Sequence, residues 1–345
     1  MRPGLRCLLA ASIAVAGSCI FAQTPTPNPA LLVLSKTDRS LAIVDPSTLN
    51  VVAKVPVGDD PHEVTASEDG KMAYVTNYGF GKYHTITPVD LVDQKPLPVI
   101  DTGALIGPHG IMYRDGEVWF TAEVAKAVAR YNPATQKIDW IMGTGQNRTH
   151  MIYVFPGGRK VITTNVNSGT MSILEEYSVH HGESLPMVPQ GAILPPGNDW
   201  LETVIPVGVR DEGFDISPDG TQAWTASPAD GSVAIVDIAS KKLIDKIQAD
   251  ATGANRLKFT PDGRLVFISA GPKLVIINVA TRKVLKTLAL GRGSGGILMQ
   301  PDGKRAFVSC GPSNYVAVID VDSLEITGHL DVGGNPDGMA WAVRR

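Results

Sequence analysis

Charge and cysteine are both scarce in this 345-residue chain, and each scarcity closes off a class of function. Only 19% of residues are charged and the formal net charge is −3. Without residues 1–22 there remain 29 Lys and Arg against 34 Asp and Glu, a net of −5. That balance offers no basic face, which sequence-independent nucleic-acid binding requires. No nucleic-acid partner is expected. Of the three cysteines, Cys7 and Cys19 fall in the first 22 residues, leaving Cys310 alone in the body. An internal disulfide is therefore ruled out there. Cys310 reads as a small half-buried residue at a strand end. The sequence has no Cys-x-x-Cys-His, which excludes covalently attached c-type haem. Long apolar runs are missing too. The run from Cys7 to about Val15 is too short to span a membrane, so no transmembrane segment is expected. Apolar stripes of helical period are absent from the body. The glycines of Gly291–Gly296 join two strands with no helix following, so they do not form a phosphate loop.

Turn residues are abundant instead: 35 Gly and 25 Pro, with an apolar fraction of 43%. The stretch PHEVTASEDGKMAYVTNYG (61–79) reads as two strands joined at Asp69-Gly70. Asp-Gly between alternating apolar runs is a strong hairpin signal. The unit recurs at 108–123, 149–165, 212–227, 255–270 and 295–310. A period near 40 residues with four short strands per unit points to a propeller. Inner strands are expected at 62–67, 109–113, 150–154, 212–217, 255–260, 295–299 and 337–343, one for each of seven blades. The chain opens on a second-type strand, LLVLS (31–35), and ends on an inner-type one, so the two termini are expected to complete one blade. Closure of this kind removes sheet edges.

Tyr74-Val75-Thr76-Asn77, followed by a turn and an Ile-Val-Asp type strand, resembles the YVTN-repeat family of β-propellers. The resemblance covers nearly the whole chain after the leader and implies an all-β, seven-bladed propeller of four-stranded antiparallel blades. Such propellers host binding, scaffolding and catalysis alike. Blade three, GEVWFTAEVAKAVARYNPATQKI, is similar to the repeats of the streptogramin B lyase group, seven-bladed propellers with a metal-assisted His/Glu site. Lactone-hydrolysing propellers also carry Pro-His near inner strands. No catalytic position carries over residue by residue.

The first 22 residues have the pattern of a signal peptide: Arg2 and Arg6, an apolar run, and cleavage expected after Ala22. Export to the periplasm or beyond follows. Ala16-Gly17-Ser18-Cys19 is similar to a lipoprotein box, so lipid anchoring through Cys19 is the rival outcome. Residues 23–30 read as a disordered Pro-rich spacer, and 31–345 as the propeller, a monomer. Residues of about 178–200 break the period and read as an inserted loop in blade four. The loop holds His180, His181 and Trp200; Trp200 is the one tryptophan expected to serve a partner, the other four filling blade interfaces.

Eight residues before the turn glycines Gly70, Gly158, Gly220, Gly263 and Gly303 lie His62, His150, Glu212, Asn255 and Gly295. His109 follows Pro108 as His62 follows Pro61, and Asp337 follows Pro336 in the closing strand. These positions begin inner strands and are expected to converge on one mouth of the central channel. Asn77, Glu123 and Asn165 should join them from the second strands, with Arg148, Arg210 and Arg256 flanking. Imidazoles with carboxylates suit a divalent metal, for which His62, His109 and His150 are the candidate ligands. His150 and Glu212 are the candidates for acid–base work. The alternative is that Pro-His-Gly serves strand entry, each His bonding a neighbouring backbone carbonyl. Two functions follow. One is a non-enzymatic exported module binding a small ligand or protein at the channel mouth or rim. The other is a metal-assisted lyase or lactone hydrolase with its site at the mouth.

Overall fold

The computed structural model describes residues 24–179 and 197–344. They form seven antiparallel sheets in a ring, an all-β seven-bladed propeller. The closing strand Pro336–Ala342 pairs with Ala30–Ser35, in register from Ala30↔Ala342 to Val33↔Met339. Blade one is thus built from both ends of the chain. The inner strands of the other blades are Pro61–Ala66, Pro108–Arg114, Thr149–Val154, Phe214–Ile216, Ala254–Phe259 and Ile297–Met299. No helix among the described residues is long and apolar enough to cross a membrane.

The turn between first and second strands explains the repeated Asp-Gly. In blade two, Asp69 Oδ1 accepts the Ser67 hydroxyl at 2.6 Å and the Lys71 N–H at 3.1 Å. Gly70 takes the left-handed φ of 65° that this geometry demands. Asp219 and Asp262 repeat the arrangement with Ser217 and Thr260. Apolar residues on both faces of each blade then meet those of its neighbours. The buried side chains sort into seven clusters, one at each blade interface. Trp119, Trp224, Phe267 and Phe307 are fully buried there, each contributing roughly 1.5–3 kcal/mol by burial.

Four expectations need correction. The segment Thr24–Ala30 is not free: Thr26 Oγ1 donates to Leu91 O at 2.5 Å, and Asn28 Nδ2 to Arg344 O at 3.0 Å. It lies across blades one and two because its polar groups find partners there. The break in blade four begins later than 178 and ends before 200. Thr170–Val179 and Gly197–Pro206 are long paired strands, in register to Val179↔Gly197. His180 and His181 lie outside the described residues. Trp200 is half-buried, its ring 4.7 Å from Trp140, which is 5.2 Å from Trp119. It fills a blade interface rather than facing a partner. Cys310 is fully rather than half buried, and burial pushes its thiol up.

Candidate functional site at the channel mouth

Six of the seven inner strands are entered through a bend. Asp60, Gly107, Arg148, Arg210, Gly253 and Asn335, two residues before the expected ring positions, all have positive φ. The ring backbone is then pinned by hydroxyls of the second strands. Thr76 Oγ1 donates to His109 O at 3.0 Å and Thr121 Oγ1 to His150 O at 2.5 Å. Thr164 Oγ1 donates to Glu212 O at 2.6 Å. The same hydroxyls accept N–H groups of their own blades, as Thr121 does from Gly110 at 2.9 Å. The threonine of Tyr-Val-Thr-Asn therefore joins two neighbouring blades. None of the three ring histidines bonds a backbone carbonyl among the described residues. Strand entry is handled by threonine, so the His-to-carbonyl alternative falls.

The ring side chains face a cavity of about 550 Å³. Of the eight site residues expected from sequence, His62, Arg148, His150, Glu212, Arg256 and Asp337 line it. Buried His109 sits behind them, its ring tilted at 3.8 Å from His150 and edge-on at 4.4 Å from His62 between ring centres. Arg210 does not join the group: it is exposed and faces an adjoining groove. Asn77 and Asn165 turn into their blades and donate to Thr85 and Thr87, and to Thr170 and Ser172. Lys36 and Tyr78 complete the site instead, beside the expected Glu123. Lys36 and Tyr78 stand outside the ring positions read from the sequence, one residue past their second strands.

Two charge clusters divide the mouth. In the first, Lys36 Nζ meets Asp337 at 2.9 Å, Asp60 at 3.3 Å and the His62 Nδ1. Burial pulls the His62 imidazole below its ordinary range against the pull of Asp337. Burial would raise Asp337, but His62, Lys36 and Arg256 hold it low. In the second, Glu123 receives His150 Nδ1 on Oε1 and the Tyr78 hydroxyl on Oε2, with Arg148 Nε 3.4 Å from Oε2. Burial pushes this carboxyl up, yet those partners outweigh it and hold it at about 2. Burial, reinforced by His150 and His62, takes His109 well below the imidazole range. Below the ring, Arg256 Nη2 crosses from blade six to Glu63 Oε1 of blade two at 2.5 Å. Its side chain is only 7% exposed, whereas that of Arg148 is 34% exposed. Arg148 is thus the cation most accessible to a ligand.

No family model matches the chain, and no curated protein matches it. Solved structures do. A functionally unknown protein from Desulfotomaculum acetoxidans superposes with a TM-score of 0.73 at 13% identity, over 92% of this chain and 100% of its own. A Bacteroides uniformis protein, provisionally assigned as a 6-phosphogluconolactonase, gives 0.68 at 17% identity over 91% and 99%. A chain of Kuenenia stuttgartiensis hydrazine synthase gives 0.66 at 16% identity over 81% and 89%. At these identities the likeness is one of fold.

Proposed function

We propose that this chain is an exported YVTN-type propeller that binds a small polar ligand in the mouth of its channel. The observation that carries this reading is the 550 Å³ cavity on which polar side chains from five blades converge. Convergent polar groups in a concave site are what small-molecule recognition needs. Arg148 is the natural anchor for an anionic group. It is held only by contacts of 3.4 Å to Glu123 and 3.7 Å to Glu212, so a ligand oxygen can compete for it. The test is a melting-temperature screen of small hydroxy acids and their lactones. At least one should raise the melting temperature, and Arg148→Ala should weaken its binding about 10–100-fold, the worth of one charge-assisted hydrogen bond. A panel without a hit, or a hit indifferent to Arg148, contradicts the reading.

A second reading, a metal-assisted lyase or lactone hydrolase, is favoured by one detail. His150 is oriented by Glu123 through Nδ1, while its Nε2 has no partner among the described residues. General bases and metal ligands both use an imidazole oriented in this way. Glu212 is less free, accepting Asn255 Nδ2 at 2.7 Å. Turnover of a cyclic ester that falls to background in His150→Gln would favour this reading over passive binding.

A further inference from the structure

We infer that His109, Glu123 and His150 hold a divalent metal ion of borderline character, of which zinc is the type. Their donor atoms lie within 4.8 Å of one another, and the residues are 0%, 3% and 2% exposed. Both nitrogens of His109 and Nε2 of His150 are buried without a hydrogen-bond partner among the described residues. A buried imidazole left so bears its full desolvation penalty. A cation among the three residues accepts one lone pair from each imidazole, the other ring nitrogen keeping its proton.

The donor set selects the ion. Two neutral imidazoles and one carboxylate suit zinc and its neighbours, whereas calcium and magnesium require mostly oxygen ligands. The carboxylate is also prepared for the task. Tyr78 O–H and Arg148 Nε hold Glu123 Oε2, while Oε1 meets His150 Nδ1 in a contact whose shared proton the metal would replace. Outer partners of this kind fix ligand orientation in metal sites. Three protein ligands leave a coordination position open, and His150 lines the mouth cavity. That the open position meets a ligand rests on the function proposed above; the metal centre itself does not.

The set differs from the three ring histidines. His62 faces the ammonium of Lys36 through Nδ1, and a neighbouring cation opposes a second one. Glu123 takes its place, supplied by the loop after the second strand of blade three.

The test uses the purified protein, stripped with a chelator and titrated with Zn²⁺, with Mg²⁺ and Ca²⁺ as comparisons. The expected result is uptake of one Zn²⁺ per chain, with a higher melting temperature that a chelator reverses. Mg²⁺ and Ca²⁺ should bind at least about 100-fold more weakly. Glu123→Gln, close to isosteric, should lose about 100-fold in zinc affinity or more, and His109→Gln likewise. His62→Gln, whose ring touches His109 without being a ligand, should lose less zinc affinity than either ligand variant. If His109→Gln fails to fold, Glu123→Gln decides. Folded wild-type protein that takes up no zinc overturns the proposal. So does Glu123→Gln binding like wild type, or a loss of zinc affinity in His62→Gln as large as in the ligand variants. Such a failure leaves the mouth reading intact, because that reading is tested separately, by the hydroxy-acid panel and its response to Arg148→Ala.

Discussion

At Asp211 the chain buries a carboxyl group whose two oxygens find no partner among the described residues. Burial pushes it up to about 6, against a weak opposing pull from Lys246. A raised acid destabilises the fold once ionised, so its effect grows as pH rises from about 4 through 6. The difference between 3.8 and about 6 corresponds to about 3 kcal/mol at pH 8. Asp211→Asn should therefore stabilise by up to about 3 kcal/mol at pH 8 and by little at pH 4. Urea unfolding of both proteins at the two pH values measures it; an equal difference at both would contradict the assignment. His62 and His109 act with the opposite sign. Their lowered folded values contribute stability above about 6.5 that is lost as pH falls below it, in wild type and variant alike. None of this was legible in sequence, where Asp211 is one acid in Arg-Asp-Glu. The ring histidines were legible because the repeat fixes their distance from each turn glycine. Asn77 and Asn165 misled for a physical reason. They end strands at the right height, yet hydroxyls on their own third strands offer them nearer partners.

The hydroxyl joints between strands matter more than any one side chain in the site. Thr121 satisfies the Gly110 N–H of its own blade and the His150 carbonyl of the next. Thr121→Val keeps the shape and strands two buried backbone groups, a loss of about 2–4 kcal/mol. A change below about 0.5 kcal/mol in chemical denaturation would show that water or rearrangement replaces the joint. Gly110 is constrained for a related reason: a Cβ there would lie 2.5 Å from the His150 carbonyl oxygen. Gly110→Ala should force the blades apart and disturb His109 and His150 together, visible as a lower melting temperature with weaker zinc binding. Element types and turns were readable because apolar alternation and Asp-Gly are local signals. The long outer strands of blade four were not, because Glu176-Tyr177-Ser178 pairs with Asn198-Asp199-Trp200 without apolar alternation on either side.

The ring as a whole depends on its seam. Pro336–Ala342 supplies the inner strand of blade one, and Trp341 Nε1 donates to Met299 O of blade seven at 2.8 Å. Truncation after Gly334 removes that strand and exposes Leu32, Val33 and Val64 at the channel. The loss rivals the total stability of a typical domain, about 5–15 kcal/mol, so the truncated chain should not fold cooperatively. An unchanged melting temperature would contradict the closed ring. This feature was readable because a second-type strand opens the chain and an inner-type one closes it. The same closure brings Asp337 to Lys36 and His62, so fold and candidate site share one seam. The most direct measurement of the ligand-binding claim is calorimetric titration of the strongest screened hydroxy acid into three proteins: wild type, Arg148→Ala and Lys286→Ala. Lys286 pairs with Glu325 on the outer rim, far from the mouth. Saturable one-to-one binding that weakens about 10–100-fold in Arg148→Ala and is unchanged in Lys286→Ala is the predicted result. Equal affinity in all three would contradict a ligand site at the channel mouth.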